Sequence, residues 1–203
     1  LITGFSIHLR EITACLSARK KMLPKKIMGK WIYLRPLKKS DAKQLVKICH
    51  DRSIYRFTRV PYPYRLKDAL AFMKRTSARR KNRSEIVFGI ISKETKELMG
   101  TVSFVRINKR DSKTEIGYLI GKNHRNKGYA SEAVRLLLNL GFRKMKFHKI
   151  YINCAKENKA SKKVIEKVGC KEEALLKEDI FVGGKYHDYY IHSILRKDWL
   201  KCR

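Results

Sequence analysis

The most constraining feature of the chain is a run from Glu115 to Val134 in which a strand pattern gives way to a helix pattern across a basic, glycine-containing turn. Ile116, Tyr118 and Ile120 alternate with Gly117 and Leu119, and Gly121 ends the run, which predicts a strand. Ala130, Val134, Leu137, Leu138, Gly141 and Phe142 then recur on one face of a 3.6-residue repeat, which predicts an amphipathic helix.

Between the two elements lie Arg125, Asn126, Lys127 and Gly128. A helix start exposes amide N–H groups with no intrahelical acceptor and carries the positive end of the helix dipole. Such an end accepts an anion, and Arg125 and Lys127 add charge beside it. Gly128 allows a positive φ or the close approach of a ligand to the backbone. The chemistry that fits is a phosphate or pyrophosphate seated on the first turn. A capped helix with solvated basic side chains would show the same spacing. The turn is neither the dinucleotide fingerprint Gly-x-Gly-x-x-Gly nor a P-loop, which ends in Gly-Lys-Ser/Thr.

Arg125-x-x-Gly128-x-Ala130, following a strand with Glu115-Ile-Gly-Tyr, resembles motif A of the GNAT superfamily of N-acetyltransferases, Gln/Arg-x-x-Gly-x-Gly/Ala. The strand Lys149-Ile-Tyr-Ile-Asn-Cys154, then Asn158-x-x-Ser161, then a helix closing on Lys167-Val-Gly169-Cys170 follow in the family's order. The similarity covers residues 30 to 199 and is greatest to the Rim-type enzymes that modify the N-termini of ribosomal proteins. It implies a mixed α/β fold: a central, mostly antiparallel twisted sheet splayed between its fourth and fifth strands and flanked by about four helices.

The rest of the chain reads as one domain. Residues 1 to 29 are expected to be an extension outside the fold, with Met22 or Met28 as the true start, and residues 30 to 203 the acetyltransferase domain. The basic cluster Arg19, Lys20 and Lys21 follows the apolar stretch instead of preceding it, which is the wrong order for a secretory signal. Strands are predicted at 31–37, 85–92, 97–107, 115–120, 149–154, 171–182 and 186–195, with a hairpin turn at Gly183-Gly184. Helices are predicted after the Ser40-Asp41 cap, over 66–80, on the stripe that begins at Ala130, and over 159–168. Lys74, Arg75, Arg79, Arg80, Lys81 and Arg83 near the end of the second helix exceed what capping needs, and face either solvent or an acidic substrate.

Charge narrows the partners. With 49 Lys and Arg against 18 Asp and Glu, the formal net charge is +31. Such a field favours nucleic acid, ribosomes or acidic proteins and repels polyamines unless acidic residues line the cleft. The five cysteines show no Cys-x-x-Cys and the six histidines no His-Glu-x-x-His, so neither a metal site nor a disulfide framework is expected. Cys154 reads as a core residue before a nucleophile. No apolar run reaches 18 residues, and a cytoplasmic protein, a homodimer among its states, is the expectation.

The resemblance also implies site residues. Backbone groups of Tyr118, Leu119 and Ile120 would pair with the pantetheine arm of acetyl-CoA as an added strand. Amides of Asn126, Lys127, Gly128, Tyr129, Ala130 and Ser131, with the Arg125 and Lys127 side chains, would hold the pyrophosphate. Asn158 would bond the pantetheine or phosphates, or simply cap its helix. Glu115 would be the base that deprotonates the acceptor amine, unless it is an ordinary charge pair, and Ser161 would sit near the sulfur. The general-acid Tyr of one Rim-type branch is replaced here by Ile165, and that branch's Glu by Asn153. Thiolate protonation then falls to Ser161, to a Tyr within 186–190, or to solvent. The expected acceptor is a protein or peptide amine, the N-terminal α-amine first. A small-molecule amine is the alternative, and so is an inactive RNA- or ribosome-binding module.

Overall fold

The computed structural model describes residues 23–201, so the expectations for residues 1–22, including a start at Met22, lie outside it. In chain order the strands are β1 Ile27–Met28, β2 Ile32–Arg35, β3 Ile86–Ser92, β4 Leu98–Asn108, β5 Lys113–Ile120, β6 Lys149–Tyr151, β7 Cys154–Ala155, β8 Lys171–Val182 and β9 Lys185–Leu195. The helices are α1 Ala42–Cys49, α2 Arg52–Tyr55, α3 Leu66–Asn82, α4 Tyr129–Asn139, α5 Lys159–Lys167 and α6 Arg196–Lys201, and a π turn at Leu140–Lys144 prolongs α4.

All nine described strands form one sheet in the order β1-β2-β3-β4-β5-β6-β9-β7, with β8 on β9. Every pairing is antiparallel except β5 with β6. That parallel ladder holds only Lys113↔Lys149, Thr114↔Ile150 and Glu115↔Tyr151. Beyond Glu115 the strands part, which is the predicted splay.

β3 is buried along its whole length, as a central strand covered on both faces must be. One face carries the larger core, where Val134, Leu137, Leu138 and Phe142 of α4 and its π turn meet Phe88, Phe104 and Ile116 of the sheet. The other face carries α1 and α3, with Leu45, Ile48, Ala69 and Tyr64 on Ile91 and Leu98. Gly141 lies where α4 crosses the sheet: a Cβ there would stand 2.7 Å from Ile150 Cδ1 and 3.2 Å from the Phe104 ring. Its place in the apolar stripe is thus a close approach.

Three features differ from the sequence expectation. The sheet begins before residue 30, because Ile27↔Leu34 and Met28↔Tyr33 pair and Leu23 and Ile27 pack on the core. A two-residue edge strand leaves no periodicity to read. The strand expected over 149–154 is two pieces, because β9 shifts its pairing at Ile152–Asn153, where Ile152 N–H donates to the His192 carbonyl and Asn153 Oδ1 accepts from His192 N–H. The short helices α2 and α6 add to the predicted set, since four- and six-residue helices are held by tertiary contacts more than by their own pattern. The Gly183-Gly184 turn is as expected, with φ of 60° and 87°.

Candidate active site

The opening of the sheet leaves one edge of β5 without a strand partner. Residues 116–120 pair with β4 alone. Alternation divides the side chains: Ile116 and Tyr118 join the α4 core, whereas Leu119 packs with the α1 and α3 side. Above Gly117 a Cβ would meet only Ser103 Oγ, at 3.6 Å, so the surface there stays clear.

Past Ile120 the chain turns through a 3-10 segment, Lys122–His124, into α4. Asn126 and Gly128 both hold positive φ, 60° and 81°. The first amide after the turn with a helical acceptor is that of Glu132, which donates to the Gly128 carbonyl. The amides of residues 126–131 have no acceptor among the described residues. Left-handed residues in such a turn fan successive N–H groups toward one concavity, and the α4 dipole adds its positive end. Around Gly128 a Cβ would meet nothing within 4 Å, so the concavity is open. Lys127 is exposed at its rim, Tyr129 and Ala130 turn toward the core, and Ser131 is buried.

The Arg125 side chain, expected to reach the anion, is turned to the chain itself. Nε donates to the Ile120 carbonyl at 3.1 Å, one terminal nitrogen to Ser53 Oγ at 2.8 Å and the other to Asp51 Oδ2 at 2.9 Å. Asp51 also caps α2 by accepting from Ser53 N–H. The arginine therefore ties the turn to α2, and one of the backbone acceptors expected for pantetheine, the Ile120 carbonyl, is engaged.

Across the opening, Tyr118 Oη lies 2.8 Å from Ser161 Oγ and 3.2 Å from the Ser161 carbonyl. Ser161 is set by Asn158, whose Oδ1 accepts from Ser161 N–H at 3.1 Å as the N-cap of α5. Burial raises the Tyr118 phenol well above its usual range, although Ser161 opposes the shift. Cys154 is a buried core residue beside Ser161, and burial pushes its thiol up to about 11, which leaves no neutral-pH thiolate for nucleophilic work.

Glu115 stands at the apex where β5 and β6 part. Its carboxylate is 15% exposed and accepts from Arg106 at 3.0 Å. Burial raises its pKa from the ordinary value, with the charges of Arg106 and then Arg59 opposing. Of the tyrosines between 186 and 190, Tyr189 is the one whose phenol feels Glu115, and burial first, then that carboxylate, raise it. Tyr186 is 61% exposed and Tyr190 lies against His192 and under Lys162, so neither joins Glu115. His187 is buried, with Nδ1 3.0 Å from Glu157 and its ring on Phe57, and so docks the β8–β9 hairpin on the α2 segment.

The structure thus brings Tyr118 onto Ser161. Glu115 leaves β5 on the opposite face by alternation, at the point where the strands part, and the 126–131 amides follow the far end of the same strand. Asp51, Ser53, Arg59 and Arg106 escape sequence reasoning. Asp51 and Ser53 lie 74 and 72 residues from Arg125, and no local spacing marks them. Among the described residues no group of His, Cys, Asp and Glu could hold a metal ion, and no helix is long and apolar enough to cross a membrane.

Residues 32–171 match the acetyltransferase (GNAT) domain. The chain belongs to the GNAT family. GNAT enzymes transfer an acetyl group to an amine. An uncharacterized N-acetyltransferase of Bacillus licheniformis, p20, is 37% identical over 55% of this chain and 63% of its own length, so the match spans less than two thirds of that relative. A spermidine N-acetyltransferase of Vibrio cholerae, solved with CoA and spermine, is 26% identical with a TM-score of 0.73, over 84% of this chain and 98% of that one. RimL, a ribosomal L7/L12 α-N-protein acetyltransferase solved with coenzyme A, shares the fold at a TM-score of 0.78 and 18% identity, over 84% of this chain and 97% of that one.

Proposed function

We propose that this GNAT enzyme uses acetyl-CoA to acetylate the N-terminal α-amine of a protein, a ribosomal protein first, by direct attack in a ternary complex in the cytoplasm. The observation that carries the choice of acceptor is the pair of arginines at Glu115. Arg106 is bonded to the carboxylate and Arg59 adds its charge, so the acid at the apex is offset by cations instead of being joined by further acids. A polyamine would bring several positive charges to that place, in a chain of net charge +31.

The cradle of amides 126–131 receives the pyrophosphate, and Gly128 and Lys127 leave it open and positive. The free edge of β5 at Tyr118 and Leu119 receives the pantetheine arm. The incoming neutral amine forms the N–C bond as the C–S bond breaks, and its proton passes to Glu115, directly or through water. An α-amine, with a pKa of about 7.7 to 8 against about 10.4 for lysine, needs little help to be neutral. The leaving sulfur takes the Ser161 hydroxyl hydrogen as solvent returns a proton to Ser161 Oγ, so the serine serves as a relay and no alkoxide is left. The raised Tyr118 phenol stays protonated and donates to Ser161 Oγ, which leaves the serine hydrogen for the sulfur.

The second reading is a small amine, favoured by the spermidine enzyme that is similar over 84% of this chain. An open cleft of about 610 Å³ on the hairpin is lined by Glu157, Glu178 and Asp188 with Lys156 and Lys159. Two of its three acids are engaged, however: Asp188 by Lys156 and Lys177, and Glu157 by His187. Thiol release from acetyl-CoA with Ser- and Ala-initiated peptides, N-blocked lysine peptides and spermidine decides the matter. The expected result is a kcat/KM for the free N-terminus at least about tenfold above spermidine, roughly 1.4 kcal/mol of transition-state preference. The reverse order establishes the small-amine reading. No turnover with any acceptor and no acetyl-CoA binding means that the fold persists without the chemistry.

A further inference from the structure

We infer that the end of the sheet opposite the pyrophosphate cradle is an RNA-backbone docking surface. Four connections meet there: the α3–β3 turn, the β4–β5 turn, the segment after the α4 π turn, and the β9–α6 junction. His148 N–H donates to the Ser112 carbonyl and Arg196 N–H to the His148 carbonyl. Lys109 Nζ reaches the Asn82 carbonyl at 3.4 Å, which closes the row.

The row is basic along its length. Lys81, Arg110, Arg143, Lys144, Lys146 and Lys197 are all exposed, on these four connections or within the last or first two residues of the elements they join. None has a carboxylate at ion-pair distance among the described residues. Three acids nearby are spent on other cations, Glu85 on Arg79, Asp111 on Lys113 and Glu173 on Lys149, which leaves Asp198 of α6 beside the row. The strands β3, β4, β5, β6 and β9 end along this row, and four gaps of 4.7–4.9 Å make it roughly 19 Å wide. That is a line of charge on the scale of several phosphates.

A polynucleotide is favoured over an acidic protein by what the surface lacks. The large exposed apolar side chains, Met28, Trp31, Tyr62, Leu66, Leu70, Leu176, Phe181 and Tyr186, all lie on other segments. Protein interfaces rely on buried aromatic or aliphatic anchors, whereas a phosphate backbone needs only spaced cations. The same lack argues against membrane insertion. The choice of RNA over DNA rests on the ribosomal acceptor proposed above. The row and the cradle stand at opposite ends of β5, seven residue steps or about 24 Å apart, so docked RNA leaves the cofactor path clear while the β4–β5 turn brings it beside Glu115.

The test is fluorescence anisotropy of a labelled RNA hairpin with the full chain across a salt series, beside the matching DNA duplex and an acidic peptide. The variant R143Q/K144Q/K146Q is set against K38Q/K39Q/K43Q on the α1 side, which removes the same charge elsewhere. The expected result is at least about a tenfold loss of RNA affinity for the first triple, with the salt slope reduced by about 2, since each phosphate left without its cation lowers the slope by about 0.7–0.9. The control should lose less than about threefold, and peptide acetylation by both should match the parent. Equal losses in the two triples would make the binding a property of net charge and overturn the proposal. So would equal affinity for DNA, or preference for the acidic peptide. Failure of peptide acetylation in the parent, with RNA binding intact, would count against the acceptor reading and leave the surface standing.

Discussion

The side of the opening proposed for the cofactor and the side proposed for the acceptor amine are built in opposite ways. The cofactor side is local: β5, the 121–128 turn and the first turn of α4 are consecutive, and the amides 126–131 are oriented by two left-handed residues within that turn. The acceptor side is assembled from the loop before α3, the end of β4 and the β8–β9 hairpin, which supply Arg59, Arg106 and Tyr189 to Glu115. Backbone geometry can be specified by a few adjacent residues. A charge environment needs side chains from distant segments, and so depends on the whole fold. Arg125 joins the two sides, because it holds the cofactor turn to α2 through Asp51 and Ser53.

Gly128→Trp is the harshest way to test the locality of the cofactor side. It places a side chain in the open concavity and forces a bulky residue to φ 81°. Calorimetry should show acetyl-CoA affinity reduced by about a hundredfold or more, near 3 kcal/mol. Affinity within threefold of the parent would put the pyrophosphate elsewhere.

Glu115→Gln tests the acceptor side. It should lower kcat about 100-fold while acetyl-CoA affinity stays put. The parent should also lose kcat/KM as pH falls through the carboxylate's raised pKa, since burial favours the protonated, inactive acid. The acidic limb should therefore lie above the ordinary carboxylate range and vanish in the variant. A loss under threefold with the limb unchanged would assign proton removal to water.

The link between the sides is sharpened by a double-mutant cycle. Arg125→Ala and Asp51→Asn should each weaken acetyl-CoA about tenfold, and the double variant should be little worse than either, because both remove one tie. If Arg125 instead met the phosphates, Asp51→Asn would leave affinity unchanged or improve it.

The smallest effect is expected across the opening. Ser161→Ala and Tyr118→Phe should each lower kcat about three- to tenfold, with solvent supplying the proton in their place. A solvent isotope effect on kcat that is unchanged in both variants would remove the pair from the proton path.

Much of this was legible in residue order. The strand–turn–helix run from Glu115, the α4 stripe, the cap at Asn158 and the Gly183-Gly184 hairpin each follow from short-range rules, and each stands where expected. The missed pieces share a different origin. β1 is a two-residue edge, α2 is a four-residue helix, and the break at Ile152–Asn153 is made by His192, 39 residues away from Asn153. Among the site residues, Gly128 was readable from its turn, whereas the inward direction of Arg125 was not. A guanidinium near a helix start has two sinks, an outside anion or an inside carboxylate, and only the packing of α2 shows that Asp51 is within 2.9 Å.

By itself, the sequence determined the periodicities, the glycine turn that leaves amides unpaired and a net charge of +31. These depend on neighbours or on composition, so they hold before folding. Only the tertiary structure decided that β5 and β6 part after Glu115, that Tyr118 meets Ser161 across the gap, and that cations surround the apex carboxylate. Those outcomes arise from contacts between residues far apart in the chain, where closing the loops and burying the sheet select one partner among many.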